Sequence, residues 1–454
     1  MSNYTTIDLA TITNLAKRRG FVFQSSQIYG GLSGFWDYGP YGVELVNNIK
    51  ALWWQAMVRE RINVYGIDGA IIQHPRLWKA SGHIEGFNDP LVDCKNCKLR
   101  FRADHLAEVD SSDIEQLTTL LNGKVCPSCQ ADALTEPRLF NMMMKSYLGP
   151  LEDRESTVYL RPETAGSIFT NYELVRETTR SKLPFGIAQV GKAFRNEINP
   201  RDFIFRVREL EQMEMQYFIH PDTQADSYQE WREFAWDFLV SRMGIDPERL
   251  SWHEHGDDER AHYAAAAHDI YFHFPHGKKE LWGTHNRTDF DLSSHIKESG
   301  QDLSYFDPTD SSRFVPNVIE SSVGVGRLMM AALTNAYTEE EVNSETRVVL
   351  KLAKVIAPIK VAVLPLSKKQ PLIDLAKQLF NEITKAGLMS EYDETQSIGK
   401  RYRRQDEIGT PLCVTVDFES LEDQAVTVRD RDSMEQTRVK LDQLIAYLAN
   451  QFKL

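Results

Sequence analysis

The chain has 454 residues, of which 42% are hydrophobic and 26% charged, and its formal net charge is −13. This length allows about three domains of ordinary size. The composition is that of a globular protein and excludes a disordered, collagenous or fibrous chain. The longest apolar runs are too short for a membrane-spanning helix. A net acidic chain is not an obvious polyanion binder, although a local basic face can still hold phosphates.

The first ten residues, MSNYTTIDLA, are polar and lack the basic start and apolar stretch of a secretory signal. Five cysteines are too few for a disulfide framework in a chain of this length, and four of them form two CxxC pairs. In an intracellular enzyme, that pattern fits a metal site better than disulfides. We therefore expect a cytoplasmic protein that does not act at a membrane.

The sequence pattern predicts three regions. Residues 1–350 show no regular strand–helix alternation, which predicts an α+β domain with an antiparallel sheet. Within it, residues 93–135 form an insertion with both CxxC pairs and a polar helix. In residues 355–454, short apolar runs alternate with amphipathic helices, which predicts a small α/β domain. The charged stretch 338–355 joins the two domains and is predicted to be helical.

The first long element is a predicted helix over residues 43–61, followed by a predicted short strand in GAIIQHPRLW (69–78). The apolar residues of the helix recur at helical spacing. They form one stripe: Val43, Val46, Ile49, Trp53, Ala56 and Met57.

Residues 185–220 read as two strands joined by a loop, and Asn199, Pro200 and Asp202 give that loop good turn chemistry. An antiparallel hairpin is therefore predicted. Alternation of side chains puts Gly191 and Ala193 on one face, where small residues predict open space. The same face carries the charged residues Arg195, Glu197, Arg206, Arg208 and Glu214.

This charged face has two interpretations. A solvated outer face with internal ion pairs is common in antiparallel sheets. Arginine forks also match phosphate oxygens, and a neighbouring glutamate can accept from an adenine amine or hold Mg²⁺, so a triphosphate site fits as well.

Three segments resemble the signature motifs of class II aminoacyl-tRNA synthetases. FRNEINPRDFIFRVREL, in residues 185–218, resembles motif 2. A long helix followed by a strand that ends at Pro75, in residues 41–75, resembles motif 1. PNVIESSVGVGR, in residues 316–335, resembles motif 3. Three short motifs in the right order are far more specific than any one of them.

Further segments resemble the glycyl-tRNA synthetases of the dimeric, single-chain type: GGLSGFWDYGPYG, FRADHL, YLRPETAGSIF and KELWGTHNRTDFDLSSH. SIGKRYRRQDEIGTPLCVTVD resembles the anticodon-binding domain of the same family. The resemblance implies a class II antiparallel-sheet catalytic domain with flanking helices and a C-terminal α/β anticodon-binding domain. It also implies a homodimer that acts on glycine, ATP with Mg²⁺, and tRNA(Gly).

The resemblance implies an ATP site with two catalytic arginines. Arg195 would contact the α-phosphate, Arg206 the γ-phosphate, and Arg327 would pack on the adenine that Glu197 helps to read. Glu280 would be a partner for Mg²⁺. The full ATP-binding set is Arg195, Asn196, Glu197, Phe205, Arg206, Val207, Leu210, Glu280, Leu281, Gly324 and Arg327. The sequence departs from the family at Leu210, where a phenylalanine is usual, and at Ser321, where a larger or cyclic residue is expected.

Glycine offers only an ammonium and a carboxylate for recognition, and a desolvated ammonium is costly unless carboxylates meet it. By resemblance, Glu163, Glu214, Glu320 and Ser322 bind glycine, and Arg102 meets its carboxylate. A wall at the position of a side chain would reject alanine without an editing site. The implied reaction forms glycyl-adenylate and pyrophosphate, and then moves glycine to the 3′ end of tRNA(Gly).

The two CxxC pairs, Cys94 with Cys97 and Cys126 with Cys129, have the form of a structural zinc site. The 28 residues between the pairs are more than usual, and thiols without metal are the alternative. Lys400, Arg401, Arg403 and Arg404, around Tyr402, are either a tRNA contact or a solvated face.

Two other functions remain open from the sequence. One is a class II synthetase for another small amino acid, which would need a pocket that grips a side chain. The other is a non-catalytic relative that binds nucleic acid, which would have no need of Arg195, Glu197 or Arg327.

Overall fold

The computed structural model describes residues 7–109, 111–256 and 265–452. The outermost residues of the two predicted domains, 1–6 and 453–454, therefore lie outside the described residues, as does residue 110 of the predicted insertion. In the described parts of the chain, no helix is both long and apolar enough to cross a membrane.

The α-helices described up to residue 350 are α1 Leu9–Arg18, α2 Pro40–Trp54, α3 Pro75–Ala80, α4 His83–Gly86, α5 Ala103–Ala107, α6 Ile114–Leu121, α7 Ala165–Thr170, α8 Tyr172–Thr179, α9 Gln224–Asp237, α10 Phe290–Ser299 and α11 Val325–Ala336. Most of them are short, and α2, α9 and α11 are the longest.

The strands of the same region are β1 Val22–Gln24, β2 Trp36–Tyr38, β3 Val64–Gly66, β4 Ile72–Gln73, β5 Asn88–Asp93, β6 Arg100–Arg102, β7 Arg138–Asn141, β8 Met144–Tyr147, β9 Thr157–Leu160, β10 Phe185–Phe194, β11 Glu209–Ile219, β12 Leu250–Glu254, β13 Ala266–Phe274, β14 Gly277–Thr288, β15 Tyr305–Phe306, β16 Arg313–Phe314, β17 Asn317–Gly324, β18 Tyr337–Val342 and β19 Glu345–Leu350.

A seven-stranded sheet forms the centre of this region, in the order β12-β13-β14-β17-β11-β10-β3. All neighbours are antiparallel except β3, which runs parallel to β10. The predicted α+β class and the predicted hairpin of β10 and β11 are confirmed. The loop of the hairpin is longer than predicted, since the strands end at Phe194 and resume at Glu209.

Helix α2 packs against the main core of the sheet. Pro40 occupies its first turn, where a missing N–H costs nothing. Val46, Ile49 and Trp53 are fully buried, as the apolar stripe predicts, but Val43 is 39% exposed. A π-helical turn, Gln55–Arg59, continues the helix close to its predicted end.

The strand predicted at residues 69–78 is wrong over most of its length. Only Ile72 and Gln73 are extended, and Pro75 begins helix α3 instead of ending a strand. Proline is pre-organised for a first helical position, and the His74 ring caps the helix by accepting from the Arg76 N–H at 3.2 Å. The strand that joins the central sheet after α2 is β3.

The predicted helix over residues 338–355 is also wrong, because β18 and β19 form an antiparallel hairpin there. Asn343 and Ser344 sit at its tip with positive φ angles of 52° and 64°. This left-handed pair matches the twist of a two-residue hairpin turn. Alternation then buries Arg347 and Val349 of β19.

The C-terminal region has its own sheet and its own hydrophobic core, which confirms the predicted α/β class. Helices α12 and α15 cover the core. The elements are β20 Val361–Pro365, α12 Gln370–Lys385, β21 Ser390–Tyr392, α13 Ile398–Ile408, β22 Leu412–Val416, α14 Ser420–Asp423, β23 Ala425–Asp430, β24 Gln436–Lys440 and α15 Leu441–Gln451, with the strands in the order β21-β20-β22-β23-β24.

Buried polar bonds attach the C-terminal region to the rest of the chain. Arg347 of β19 is fully buried, and its Nε lies 2.9 Å from Asp406 Oδ2 of α13. The Tyr41 hydroxyl donates to Glu391 at 2.6 Å, and the Asn48 amide donates to the Ala357 carbonyl at 2.9 Å. Helix α2 and the β18–β19 hairpin therefore carry the contact.

The CxxC pairs lie in a small unit of strands β5, β6 and β7 with helices α5 and α6. Its core contains Val92, Ala103 and Leu117, all fully buried. Asp113 caps α6 by accepting from two backbone N–H groups, so the predicted polar helix is confirmed.

Candidate active site

A cleft of about 300 Å³ is lined by strands β11, β14 and β17, by the 195–208 loop and by the start of α11. Arg195, Arg327 and Glu214, which must share one hollow if the predicted site exists, all border it. It brings together most of the residues predicted for ATP and glycine: Glu163, Arg195, Glu197, Phe205, Arg206, Val207, Leu210, Glu214, Glu280, Glu320, Ser322, Gly324 and Arg327.

Strand register explains why distant sequence positions meet here. Glu214 of β11 pairs with Ser322 of β17, and Glu320 of β17 pairs with His285 of β14. Directly opposed side chains on one face of a sheet lie about 5 Å apart. Residues separated by tens of positions in sequence therefore become neighbours in the cleft.

One part of the cleft is cationic. The Nε of Arg195 donates to the Pro162 carbonyl at 3.1 Å, which fixes the side chain. Among the described residues, its two Nη groups have no hydrogen-bond or ion-pair partner, and the Arg206 guanidinium has none. Two guanidinium groups without carboxylate partners can bind a polyanionic ligand.

Arg327 lies at the same part of the cleft, at the start of α11. Its guanidinium is 4.4 Å from the centre of the Phe205 ring, and its Nη1 is 3.1 Å from Glu280 Oε1. The Glu280 side chain is about half exposed. The planar cation is therefore held in one orientation, from which it can stack on a flat ligand.

A second part of the cleft is acidic. Gln216 donates from one amide nitrogen to both Glu214 Oε1 and Glu320 Oε2, at 2.8 Å each. The Thr164 hydroxyl donates to the other oxygen of Glu214. Glu163 faces His83, with 3.3 Å between the carboxylate and the ring nitrogen.

The electrostatics of the acidic part differ from one carboxyl to the next. Burial and the charges of Glu320 and Glu163 raise the pKa of Glu214 to about 8. Burial acts the same way on Glu320, but Arg287 and His285 hold the pKa of Glu320 well below its usual range. His83 likewise lowers the pKa of Glu163 against its burial. Two ionised carboxylates and one protonated carboxyl thus face the cleft at neutral pH.

His285 and Arg287 also line the cleft, and neither was predicted as a site residue from the sequence. Arg287 Nη1 donates to Glu320 Oε2 at 2.8 Å, and Asp291 holds the rest of the guanidinium at 2.7 and 2.8 Å. The i, i+4 spacing of Arg287 and Asp291 was a usable signal. Nothing local pairs His285 with Glu320.

Three predicted residues are not brought into the cleft. Arg102 is bound by Asp89 at 2.9 Å and by Asp104, so both partners of its guanidinium are carboxylates of the Cys-bearing unit. It lines a second cavity, of about 500 Å³. Leu281 is buried in the main core, and Asn196 anchors the loop by donating its N–H to the Met142 carbonyl. The role predicted for Arg102 at the glycine carboxylate is therefore not supported.

The open space predicted above Gly191 is filled by Arg161. A Cβ at position 191 would lie 2.1 Å from Arg161 Nη2. Arg161 is buried, and it donates to the Lys192 carbonyl at 2.6 Å and the Gly69 carbonyl at 2.8 Å. The glycine therefore admits a structural arginine, and the cleft begins further along the sheet. Arg208, placed on the charged face by the sequence, instead donates to the carbonyls of Glu197 and Ser33, at 3.0 and 2.6 Å.

The two departures from the family pattern have different outcomes. Ser321 is fully buried, and its hydroxyl accepts from the Trp282 indole N–H at 2.9 Å, so the small polar residue satisfies a buried donor. Leu210 lines the cleft opposite Ala193 in the strand register. It supplies apolar area there without an aromatic ring.

The sulfur atoms of the two CxxC pairs all lie within 4.8 Å of one another. The separations across the pairs are 3.6 Å and 3.7 Å. Tetrahedral zinc with bonds of about 2.3 Å would place its sulfurs about 3.8 Å apart. Each pair is followed by a residue with positive φ, Lys98 at 62° and Gln130 at 58°, so the two loops turn in the same way. The cluster consists of Cys94, Cys97, Cys126 and Cys129, and it fits a four-thiolate metal.

The predicted basic cluster lies on helix α13, not on a loop. Arg401 is buried and donates to the carbonyls of Pro365, Asp393 and Gln396, so it is a structural residue and not a nucleic-acid contact. The Tyr402 ring packs inside the domain, 4.9 Å from the Arg429 guanidinium. Arg404 forms an ion pair with Asp393. Lys400 is exposed and Arg403 partly exposed.

Comparison with known families adds two matches. Residues 149–336 match the tRNA synthetase class II core domain (G, H, P, S and T). Residues 360–451 match the anticodon binding domain. The first match contains motifs 2 and 3 and the whole cleft except Trp36 and Tyr38.

Comparison with individual proteins gives matches over nearly the full chain. A glycine–tRNA ligase of Treponema denticola is 49% identical over 453 residues, covering 98% of both chains. Glycine–tRNA ligases of Caldanaerobacter subterraneus subsp. tengcongensis and Acetivibrio thermocellus are each 50% identical, covering 97–98% of this chain and 98–99% of theirs.

Proposed function

Because the chain belongs to the glycine–tRNA ligase family, with a class II synthetase core, we propose that its central cleft binds ATP and glycine side by side and joins them as glycyl-adenylate. The single observation that carries this proposal is the division of one cleft into a cationic part, with Arg195 and Arg206, and an acidic part, with Glu214 and Glu320. ATP is a polyanion and glycine presents a cation. Each part of the cleft therefore suits one substrate.

At the cationic part, Arg195 binds the α-phosphate and stabilises the charge that develops as the glycine carboxylate attacks phosphorus. Arg206 binds the γ-phosphate, and Arg327 stacks on the adenine beside Phe205. Mg²⁺, when bound with ATP, neutralises phosphate charge, and the half-exposed carboxylate of Glu280 is an oxygen donor that fits it. No side-chain nucleophile is required, so catalysis consists of positioning and electrostatic stabilisation.

At the acidic part, the glycine ammonium is met by Glu163, Glu214 and Glu320. These carboxyl groups are fixed by Thr164, Gln216 and their cationic neighbours, so they are ordered before the substrate arrives. A preorganised set of acceptors compensates the ammonium for lost water. Activated glycine is then transferred to the 3′ end of tRNA(Gly).

The deciding experiment is ATP–pyrophosphate exchange with glycine, alanine and serine in parallel. We expect exchange with glycine alone. Exchange with alanine or serine at a similar rate would favour a synthetase for another small amino acid. No exchange with any of them would favour a non-catalytic nucleic-acid-binding relative.

The Arg195→Ala variant tests the phosphate site. We expect it to lose exchange activity while its melting temperature stays close to that of the unmodified protein, because the arginine contributes one backbone hydrogen bond to the fold. Normal exchange in this variant would refute the role of Arg195.

We also propose that the four-cysteine cluster holds a structural zinc ion. All four positions are cysteines, so a bound zinc ion would have four sulfur ligands and no open place for a substrate. The sulfur separations near 3.7 Å and the matching loop shapes support the proposal.

A second copy of the chain is the proposed partner of the face around the motif 1 region. Ile71 and Ile72 are 37% and 41% exposed, and Tyr147 and Leu148, in and beside the same three-stranded sheet, are 42% and 59% exposed. Neighbouring exposed apolar residues mark an interaction surface. Light scattering that shows a monomer at micromolar concentration would refute the homodimer.

For the remaining organisation, we propose catalytic residues 1–350, a Cys-bearing insertion at 93–135 and an anticodon-binding domain at 355–454. Separate hydrophobic cores support a division into these three units, and the main core also takes in Ile356, Ala357, Ile359 and Ile408. Lys400 is the residue of the predicted basic cluster that is exposed and available to tRNA, and Arg403 is partly exposed but lies 3.5 Å from Asp406. A role in protein synthesis supports the predicted cytoplasmic location.

A further inference from the structure

Glu320 is held from two sides by cations, each of which is held in turn by an aspartate. On one side is Arg287, fixed by Asp291. On the other side is His285, whose Nδ1 lies 3.1 Å from Glu320 Oε1 and whose Nε2 lies 3.2 Å from Asp269 Oδ1. The family motifs quoted from the sequence include Arg287 and Asp291 in one short string, but Asp269 lies outside them.

The hydrogen bonds on the His285 side of Glu320 continue beyond Asp269. The other oxygen of Asp269 lies 2.7 Å from His255 Nε2. His255 follows strand β12 and lines the second cavity, outside the proposed active site. The hydrogen-bonded row of side chains Glu320–His285–Asp269–His255 therefore crosses three neighbouring strands, β17, β14 and β13, and ends directly after β12, so it reaches from the proposed glycine site to another surface.

Gly283 leaves space for this row of hydrogen-bonded side chains. A Cβ at position 283 would lie 3.1 Å from the His285 ring and 3.3 Å from Asp269 Oδ1. Gly283 has no positive φ, so its backbone does not require glycine. Glycine inside a strand often marks a close approach of other groups, and here those groups are the histidine and the aspartate.

The free and occupied lone pairs of Glu320 indicate what this row of side chains does. Its Oε2 accepts from Gln216 and Arg287, which uses both lone pairs. Its Oε1 accepts from His285, which leaves one lone pair on that oxygen. The hydrogen bond from His285 occupies one lone pair of Oε1 and fixes the orientation of the carboxylate. The position of the His285 ring therefore sets the direction of the remaining lone pair.

We propose that His285, Asp269 and His255 are positioning residues for glycine: they hold the Glu320 carboxylate so that its remaining lone pair on Oε1 points at the substrate ammonium. This rests on the proposed function. Asp269 and Glu320 accept from the two ring nitrogens of His285, and against the effect of burial these two carboxylates raise the pKa of His285 to about 10, so the ring keeps both protons and the one on Nδ1 is directed at Glu320. His255, on the far side of Asp269, restrains that aspartate in turn.

The test is ATP–pyrophosphate exchange with four variants at three positions, in which the Michaelis constants for glycine and for ATP are measured separately. Asp269→Asn keeps the shape of the side chain and changes its acceptor pattern. We expect it to raise KM for glycine about tenfold, the effect of weakening one charged hydrogen bond. His255→Gln, one step further away, raises it about threefold. KM for ATP stays unchanged in both.

Two substitutions at the third position, His285, separate positioning from packing. His285→Leu removes the donor and raises KM for glycine more than Asp269→Asn does, whereas His285→Gln keeps an N–H donor and recovers part of the loss. Asp222→Asn is the matched control, since Asp222 also faces a histidine, at 3.6 Å from His220, but lies exposed and outside the cleft. It leaves both constants unchanged.

The proposal is overturned if KM for glycine is unchanged in Asp269→Asn, if KM for ATP rises in parallel, or if His285→Gln is no better than His285→Leu. A purely structural chain would lower the melting temperature and kcat without this split. Should Asp269→Asn fail to fold, His255→Gln carries the same test, because the His255 side chain is 21% exposed and lies outside the cleft. Failure of the proposed function is distinguishable, because the unmodified protein would then show no glycine-dependent exchange.

Discussion

Arg327 and Phe205 form a stacked pair, with the guanidinium carbon 4.4 Å from the centre of the ring. The pair joins two elements that are remote in sequence: the start of α11, in motif 3, and the long loop of motif 2. Glu280 bonds the same guanidinium from β14. A flat cation held in this way is ready to receive a purine, whereas a mobile one would have to be ordered on binding.

Replacing Arg327 with lysine therefore weakens ATP binding selectively. Lysine keeps the charge but has no planar group to stack. We expect KM for ATP to rise about tenfold, equal to about 1.4 kcal/mol, with KM for glycine unchanged. Exchange kinetics with each substrate varied in turn measure the split. The control is Arg176→Lys on the exposed helix α8, and a lysine variant with normal KM for ATP would contradict the stacking role.

Glycine affinity depends on pH through Glu214, whose pKa is raised to about 8 by burial and by its carboxylate neighbours. Below pH 8 the free enzyme carries a proton on this carboxyl, and binding of the ammonium favours its release. KM for glycine should therefore fall as pH rises from 6 to 8, by up to about tenfold per pH unit, and then level off.

Glu214→Gln removes this dependence and leaves a weaker, pH-independent KM for glycine. Glu173→Gln, on the exposed surface, is the control and keeps the slope. A slope that survives in Glu214→Gln would assign the titration to another group.

The fold and much of the cleft were predictable from sequence because their signals are local. Two strand-like runs joined by the turn residues Asn199, Pro200 and Asp202 predicted the hairpin, and short strings predicted Arg195, Glu214 and Arg327. His285 was missed because its partners Glu320 and Asp269 are set by register across strands, which a single sequence does not reveal. Arg102 was misplaced because its sequence string says nothing of Asp89, the carboxylate that binds it in the fold.

The prediction of a helix over residues 338–355 was wrong for a different reason. Its charged residues suit a helix as well as a strand, and only the turn at Asn343 and Ser344 separates the two. Arg347 reads as a solvated charge in the sequence. In the fold it is fully buried, because Asp406 lies opposite it on a helix about sixty residues later.

Purified protein should contain one zinc ion per chain, measured by elemental analysis. Cys126→Ser should lose the metal and melt at a lower temperature, since closed thiolate sites contribute to folding directly. Cys413→Ala is the control, because Cys413 is buried in the C-terminal sheet and away from the cluster. Purified protein without metal, or a Cys126→Ser variant with an unchanged melting temperature, would contradict the proposed zinc site.

Reversing the charge of Lys400 tests the tRNA face of α13, and Arg403 is left in place because its Nη1 lies 3.5 Å from the buried Asp406. Lys400→Glu should raise KM for tRNA in aminoacylation several-fold and flatten its salt dependence, since a contact to phosphate is lost. Exchange without tRNA should be unchanged. Lys385→Glu, at the end of α12, is the control. Equal KM values for tRNA would show that another face binds it.

The contact between the two large domains depends on a charge that is removed from water. Arg347 has no exposed side-chain area, and it binds Asp406, Glu340 and the Arg431 carbonyl. Arg347→Met would leave the buried Asp406 with Arg429, at 3.0 Å, and the partly exposed Arg403, at 3.5 Å. Breaking a buried pair from one side costs about 3–5 kcal/mol, so the variant should unfold at a clearly lower urea concentration.

The matched control for that substitution is Arg313→Met. Arg313 lies 3.0 Å from Asp302 with both side chains mostly exposed, and such a pair contributes at most about 1 kcal/mol. If the two variants unfold at the same urea concentration, the Arg347 network does not hold the domains. If Arg347→Met alone is destabilised while glycine-dependent exchange persists at low temperature, the network supports the domain contact and leaves the chemistry of the cleft intact.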